Sequence, residues 1–327
     1  MLKPCLLFIV GLVLLIFGGN KFVDGATNIA KKFHIPDLLI GATVVSIGTT
    51  LPEVMVSATG ALQGHSQIAY GNAIGSIICN TALICAITIA IKPNTVEKKP
   101  LIVPVIFFFS SAIFYCYSAI GDGFFSRLEG IILLAVFIVY IGLQIKEALN
   151  TKSRSKNLEE VKDENIKENV SPLWKDILFL VLGAVAIAFG ADFLVDNGTI
   201  IAEKLGVPES VIALTFVALG TSLPELVTAI TSLIKGHGLL SLGNIIGANL
   251  FNLVLVSGIS IVLSPFKVPS DKLLFGMNAS YIVDIPVMFS VMLLLSIPPL
   301  IKGKMYRWQG ITLLLIYAAY CAFQFAL

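Results

Sequence analysis

Long apolar runs dominate the chain, separated by short polar or Pro/Gly punctuation. A bilayer-spanning helix needs roughly 20 mostly apolar residues, and each run meets that length. The pattern predicts ten spans, at about 5–31, 36–62, 69–91, 100–120, 127–149, 173–203, 208–234, 240–264, 281–300 and 307–326. One long polar segment, Asn150 to Ser171, interrupts the series and mixes Lys152, Arg154, Lys156, Lys162 and Lys167 with Glu159, Glu160, Asp163, Glu164 and Glu168. Mixed charge of that density reads as a solvated linker. The expected organisation is a first five-helix half over 1–149, a linker over 150–172 and a second five-helix half over 173–327.

Composition sharpens this. Of 327 residues 57% are hydrophobic and only 13% are charged, against about 25% charged in soluble domains. The chain has too few charges to cover a water-facing surface, which excludes a soluble enzyme or binding module and makes the lipid bilayer its solvent. Net charge is +2 with no basic stripe interleaved with aromatics, so no nucleic acid is expected as a partner. Cys5, Cys79, Cys85, Cys116 and Cys321 lie inside apolar runs without metal-ligand spacing and read as small buried hydrophobes. Lys3 and the apolar run behind it lack an A-x-A-like cleavage site and read as the first span. Sorting Lys and Arg by side of the membrane places the linker in the cytoplasm and both termini outside it, in a multi-pass plasma-membrane protein.

The most informative feature is internal. A shift of 172 residues lays Phe17–Asn80 on Phe189–Asn252 without a gap, with about 25 of roughly 64 positions identical. The matches that apolar composition does not explain include Thr27/Thr199, Pro36/Pro208, Gly48/Gly220, Thr49/Thr221, Pro52/Pro224, Glu53/Glu225, Asn72/Asn244 and Asn80/Asn252. Five spans per half is an odd number, so the second copy enters the bilayer from the opposite side. Inverted repeats of this kind recur in secondary transporters, with the substrate site near the midplane. The expected fold is therefore an all-α polytopic membrane protein of about ten transmembrane helices, arranged as two inverted five-helix repeats.

Two matched hexapeptides carry the chemistry: G-T-T-L-P-E at Gly48–Glu53 and G-T-S-L-P-E at Gly220–Glu225. A carboxylate at mid-membrane costs roughly 2.5–3.5 kcal/mol on insertion scales. No Lys, Arg or His lies in either run that carries the pair, so a bound cation or a proton is the remaining compensation. Pro52 and Pro224 lack an N–H and free the carbonyls four residues back. Thr49 and Thr50 share a helical face with Glu53, and Thr221 and Ser222 with Glu225. One span later Asn72, Ser76 and Asn80 form a stripe, matched by Asn244, Ala248 and Asn252. Carboxylate, hydroxyl and amide oxygens suit hard cations such as Ca2+ and Na+ rather than Zn2+. Taken singly, each Pro reads as a kink, each Ser or Thr as a partner of its own i−4 carbonyl, and each Gly as packing; Gly71, Gly75, Gly243 and Gly247 are expected to let backbones approach. Asp24, Asp196 and Asp284 read as interfacial or helix-terminal groups, and His65 and His237 as solvated turn residues.

At these residues the sequence resembles the cation/Ca2+ antiporter superfamily, most closely its prokaryotic sodium/calcium exchanger family, marked by G-T-S-x-P-E and G-N-x-x-G-[SA]-N in two inverted repeats. The resemblance covers nearly the whole chain. It implies cation ligands at Thr49, Thr50, Glu53, Ser76 and Asn80, at Thr221, Ser222, Glu225 and Asn252, and at the backbone carbonyls of Ser46 and Ala218. Ile77 departs from the motif where its counterpart Asn249 does not; Ala248 lacks the hydroxyl of Ser76, and Asn252 stands where some exchangers have Asp. The implied function is Ca2+/Na+ antiport by alternating access, with no catalytic residue and no cofactor beyond the transported ions. The first and sixth spans are expected to slide on the core through the Gly-rich segments at Phe17–Asn20 and Phe189–Asp192. Ca2+/H+ antiport is the alternative; a cation channel or an intramembrane enzyme is more remote, since no H-E-x-x-H or other nucleophile or metal motif is present.

Overall fold

The first apolar run folds as one helix, α1 (Leu2–Phe33), which stops where His34 takes a left-handed φ of 53° ahead of Pro36. The second run is α2 (Asp37–Ile40), a π-helical turn (Gly41–Val45) and α3 (Ser46–Leu62). The third has a related build: α4 (Ser66–Cys79), a π-helical turn (Asn80–Cys85) and α5 (Ala86–Ile91). Next come α6 (Lys98–Gly121) and α7 (Arg127–Glu159). The start of α7 is fixed by a capping box, in which the Ser126 N–H and hydroxyl donate to Glu129 Oε2 at 2.6 and 2.9 Å. The second half holds α8 (Leu173–Lys204), α9 (Leu223–Ile234) and α10 (Gly238–Phe251). A π-helical turn (Asn252–Val256) leads on to α11 (Ser257–Leu263), and a further one (Ser280–Asp284) opens α12 (Ile285–Lys302) before α13 (Arg307–Ala326). Among the described residues strand is confined to two-residue antiparallel pairs: β1 (Phe124–Phe125) with β2 (Phe266–Lys267), and β3 (Leu273–Leu274) with β4 (Met277–Asn278).

This structure is a computed structural model that describes residues 2–64, 66–121, 123–159, 172–205, 220–268, 273–274 and 276–326. Among those residues eight helical stretches are long and apolar enough to cross a membrane, so the chain is an all-helical, multi-pass membrane protein. Of the ten expected spans, the seventh is described from Gly220 onward as α9, and α13 fills the tenth. One boundary differs from expectation. The fifth helix does not stop at residue 149 but runs on to Glu159. Lys, Arg, Leu and Glu are good helix formers, and continuing the helix keeps its backbone groups bonded as it leaves the membrane. The remaining linker residues, 160–171, lie outside the described residues.

Two compact units are interleaved along the chain: Met1–Gly48 with Val139–Asn244, and Thr49–Ile138 with Ile245–Leu327. In the first, α1 and α8 run antiparallel along a seam of glycines spaced by seven. A methyl added at Gly11 would lie 2.9 Å from Gly190 O, at Gly18 2.9 Å from Gly183 O, and at Gly25 2.6 Å from Asp176 O. Lipid tails are as apolar as Leu, so such close backbone packing, not hydrophobic burial, holds membrane helices together. Leu15, Phe22, Val23, Ala26 and Ile187 pack around the seam. Buried Asp176 is compensated by Lys32 Nζ at 3.3 Å and Asn28 Nδ2 at 3.1 Å.

The second unit packs α13 on α5, where a methyl at Gly310 would lie 2.7 Å from Ala86 O and Ala90 N. Ala82, Ala86, Val291 and Leu313 form its apolar cluster. Fully buried Gln309 donates to Leu294 O at 2.7 Å and Leu295 O at 3.0 Å, satisfying its amide without water.

Candidate functional site

Glu53 sits inside α3, which continues through Pro52, and its side chain is 0% exposed. Thr49 and Thr50, one turn earlier, are also buried. The neighbouring helix α4 is clamped to this segment: Asn72 Nδ2 donates to Glu53 O at 3.2 Å and to Ser57 Oγ at 2.8 Å. Ser76 Oγ in turn lies 3.4 Å from Asn72 Oδ1. Asn80, buried, opens the π-helical turn after α4, and neither of its amide atoms has a hydrogen-bond partner among the described residues; the same is true of Thr50 Oγ. Within this unit α4 packs on the π-helical turn that begins at Asn252, also buried.

The start of α3 is anchored separately. A π-helical turn releases carbonyls from the i→i−4 ladder, and two hydroxyls take them up. Ser46 Oγ donates to Gly41 O at 2.6 Å and also lies 3.1 Å from Asn244 O. Tyr140 Oη donates to Ala42 O at 2.9 Å while accepting from Gln144 Nε2 at 2.8 Å, all fully or nearly fully buried.

The second copy of the motif is folded differently. Gly220–Ser222 form a turn, and α9 begins at Leu223 with Pro224 in its first turn, where a missing N–H costs nothing. Glu225, 0% exposed, therefore lies at a helix N-terminus, which favours negative charge. Ser222 occupies the N-cap position without making a cap bond, and its buried Oγ has no partner among the described residues. Thr221 is partly buried. Thr228 Oγ lies 3.0 Å from Glu225 O and 2.9 Å from Pro224 O, and Asn244 Nδ2 donates to Thr228 Oγ at 3.0 Å. Asn72 and Asn244 thus play parallel parts, each amide nitrogen committed to the helix that bears a Glu. Asn80 and Asn252 also correspond: each opens a π-helical turn, 172 residues apart. Such turns cluster at functional sites. Ala218 lies outside the described residues.

Each copy of the motif thus places a buried carboxylate near buried hydroxyl and amide groups, donor types that suit hard cations. A family model described as sodium/calcium exchanger protein matches residues 3–146 and 175–326. The chain belongs to the sodium/calcium exchanger family. Similar proteins include the putative antiporter CaxA of Alkalimonas amylolytica, 33% identical over 100% of this chain and 99% of its own. The sodium/calcium exchanger MaX1 of Methanosarcina acetivorans is 31% identical across 96% of each chain. Among solved structures, the sodium-calcium exchanger NCX_Mj soaked with 2.5 mM Na+ and 10 mM Sr2+ matches with a TM-score of 0.79 and 31% identity, over 98% of both chains.

Several polar groups of the exchanger have other duties than the sequence suggests. His237 is no solvated turn residue: its Nδ1 lies 2.8 Å from Asp37 Oδ2. Asp24 pairs with Lys235 Nζ at 2.7 Å, whereas Asp196 is exposed. Asp284 accepts from Tyr320 Oη at 3.0 Å and Gln324 Nε2 at 2.8 Å, tying α13 to the turn before α12. Lys21, deep in α1, lies 4.4 Å from the ring centroid of Phe179. Gly243 does admit close approach, to Leu38 O, but a methyl on Gly71 or Gly75 would meet nothing within 4 Å among the described residues. Near Phe17 and Phe189, Gly18 and Gly190 lie on the contact between α1 and α8, while a methyl on Gly19 would lie 2.6 Å from Val227 Cγ1 on α9. His65 lies outside the described residues. Sequence reading missed Thr228, Ser57 and Tyr140; the spacing of Ser57 and Thr228 four and three residues after each Glu is the signal that was present.

Proposed function

We propose that this exchanger is a secondary antiporter that moves Ca2+ against Na+ by alternating access, with Glu53 and Glu225 as its anionic ligands. Thr49, Thr50, Ser76, Asn80, Thr221, Ser222, Asn252 and the carbonyls of Ser46 and Ala218 supply neutral oxygens. The observation that supports this reading is the pair of carboxylates with 0% exposure in duplicated motifs, each beside buried hydroxyls. Two carboxylates match the charge of one Ca2+, and oxygen-only ligands of variable number suit its flexible coordination. Na+ competing for the same oxygens couples opposing fluxes without ATP. The orientation follows the Lys/Arg sorting, with the 150–172 linker cytoplasmic and both termini outside the plasma membrane.

The test is radioactive Ca2+ uptake by proteoliposomes under separately imposed Na+ and pH gradients. An outward Na+ gradient at fixed pH drives uptake, and Glu53→Gln and Glu225→Gln each abolish it. Uptake that follows only the pH gradient replaces Na+ by H+ as the coupling ion. Unimpaired uptake in both variants overturns the ligand assignment.

A further inference from the structure

The amide of Asn249, on α10, is held by one end. Its Nδ2 donates to Thr81 Oγ at 2.7 Å and to Met292 Sδ at 3.2 Å, and Thr81 Oγ in turn lies 3.4 Å from Met292 Sδ. A thioether accepts and does not donate, and the one hydroxyl proton of Thr81 is directed to it. Thr81 Oγ therefore acts as an acceptor toward Asn249. With nitrogen at this end, the two amide hydrogens serve the hydroxyl and the thioether together, whereas a carbonyl in its place could accept from the hydroxyl but would leave the thioether contact without a donor.

The carbonyl end is turned away from that pair. Asn249 is 0% exposed, yet its Oδ1 has no hydrogen-bond partner among the described residues. The large majority of buried side-chain polar atoms in native proteins are partnered. The same compact unit contains other buried polar atoms in this condition, among them Thr50 Oγ, both amide atoms of Asn80, and Asn252 Oδ1. Asn249 and Asn252 are three residues apart and share a helical face, and Thr81, which orients Asn249, adjoins Asn80 in the chain.

We infer that the Asn249 carbonyl oxygen is a further ligand for transported Na+, an inference that rests on the reading of Asn80 and Asn252 as cation ligands. Amide and hydroxyl oxygens bring dipoles but no charge, which suits a monovalent ion; a divalent ion calls for carboxylates. The ligand set is then asymmetric. The matching position in the first half is Ile77, fully buried and without a polar atom to offer, while Ala248 stands opposite Ser76. The second repeat supplies an amide at 249 where the first supplies a hydroxyl at 76.

The test uses the full-length exchanger in proteoliposomes, with Na+ and Ca2+ themselves as probes. Asn249→Leu, close in volume, raises the Na+ concentration for half-maximal exchange about 10-fold, the equivalent of one ligand interaction of about 1.4 kcal/mol. It also lowers the Hill coefficient for Na+, while Ca2+/Ca2+ exchange without Na+ keeps its wild-type rate. Thr81→Val removes an anchor but not the oxygen, and its Na+ dependence stays within about 2-fold of wild type on this reasoning. Asn249→Ala carries the same expectation should the leucine variant fail to fold. Equal shifts in the Thr81 and Asn249 variants, or loss of Ca2+/Ca2+ exchange, would mean a structural role and overturn the inference, as would an unchanged Na+ dependence. Glu53→Gln run alongside separates the two levels. If it abolishes exchange while Asn249→Leu changes nothing, only Asn249 is excluded; if it too changes nothing, the whole ligand set falls.

Discussion

Replacing Gly18 with Ala tests the α1–α8 seam with the smallest possible probe. The new methyl would stand 2.9 Å from both Gly183 O and Ile187 N and 3.0 Å from Ala186 Cβ. Ordinary contact begins near 3.4 Å, so the two helices must separate by about half an ångström or more along a seam that repeats at Gly11 and Gly25. Overpacking of this kind costs about 1–3 kcal/mol. Against it stands the gain in helix propensity, close to 1 kcal/mol for Gly to Ala. Gly142→Ala is the matched control: it lies on exposed α7 surface, where a methyl meets nothing within 4 Å among the described residues. The propensity gain is common to both variants, so their difference isolates the steric term. Unfolding in mixed micelles should show Gly18→Ala less stable than Gly142→Ala by about 1–3 kcal/mol. Equal stability would mean that the seam is loose and that the glycines do not hold α1 against α8.

Other predictions follow from individual contacts. Tyr140→Phe removes the donor to Ala42 O and the acceptor for Gln144, both buried, and should lower stability in the same unfolding assay by about 1–2 kcal/mol; no loss would mean the π-helical turn needs no anchor. Asp176→Asn removes the charge paired with Lys32 at a side chain only 1% exposed and should cost about 1–3 kcal/mol, discounted because Lys32 is itself 20% exposed. Asp24→Asn, at a position 45% exposed, should cost less than about 1 kcal/mol and lose even that at high salt. The opposite ranking of the two aspartates would refute the burial argument.

What the sequence disclosed and what it hid divide along a physical line. Apolar run length is a one-dimensional property, so the positions of the helices and the all-helical membrane fold were legible from it. Glu53 and Glu225 stood out because an acid in an apolar run is costly wherever the run goes, and the repeat doubled the signal. The π-helical turns at Asn80 and Asn252 left no trace, since the choice between i→i−4 and i→i−5 bonding depends on which neighbouring groups accept the freed carbonyls. Asn72 and Asn244 carried the same ambiguity: an amide is both donor and acceptor, and only the folded chain spends its nitrogen on the adjacent helix. Glycine gave mixed guidance. Gly11, Gly18 and Gly25, spaced by seven, do pack against a neighbouring backbone, whereas a methyl on Gly71 or Gly75, spaced by four, would meet nothing within 4 Å among the described residues. Small residues permit approach without requiring it.

Calcium binding to purified protein tests the central claim most directly. Isothermal titration of wild type, Glu53→Gln and Glu225→Gln, in Na+-free detergent solution, compares a buried carboxylate with a neutral side chain of the same shape. Loss of one charge-bearing ligand should weaken Ca2+ binding at least 10-fold in each variant, about 1.4 kcal/mol or more, while both proteins remain folded and equal or exceed wild type in thermal stability because a buried charge is gone. Wild-type affinity in either variant would show that its glutamate does not hold the transported ion.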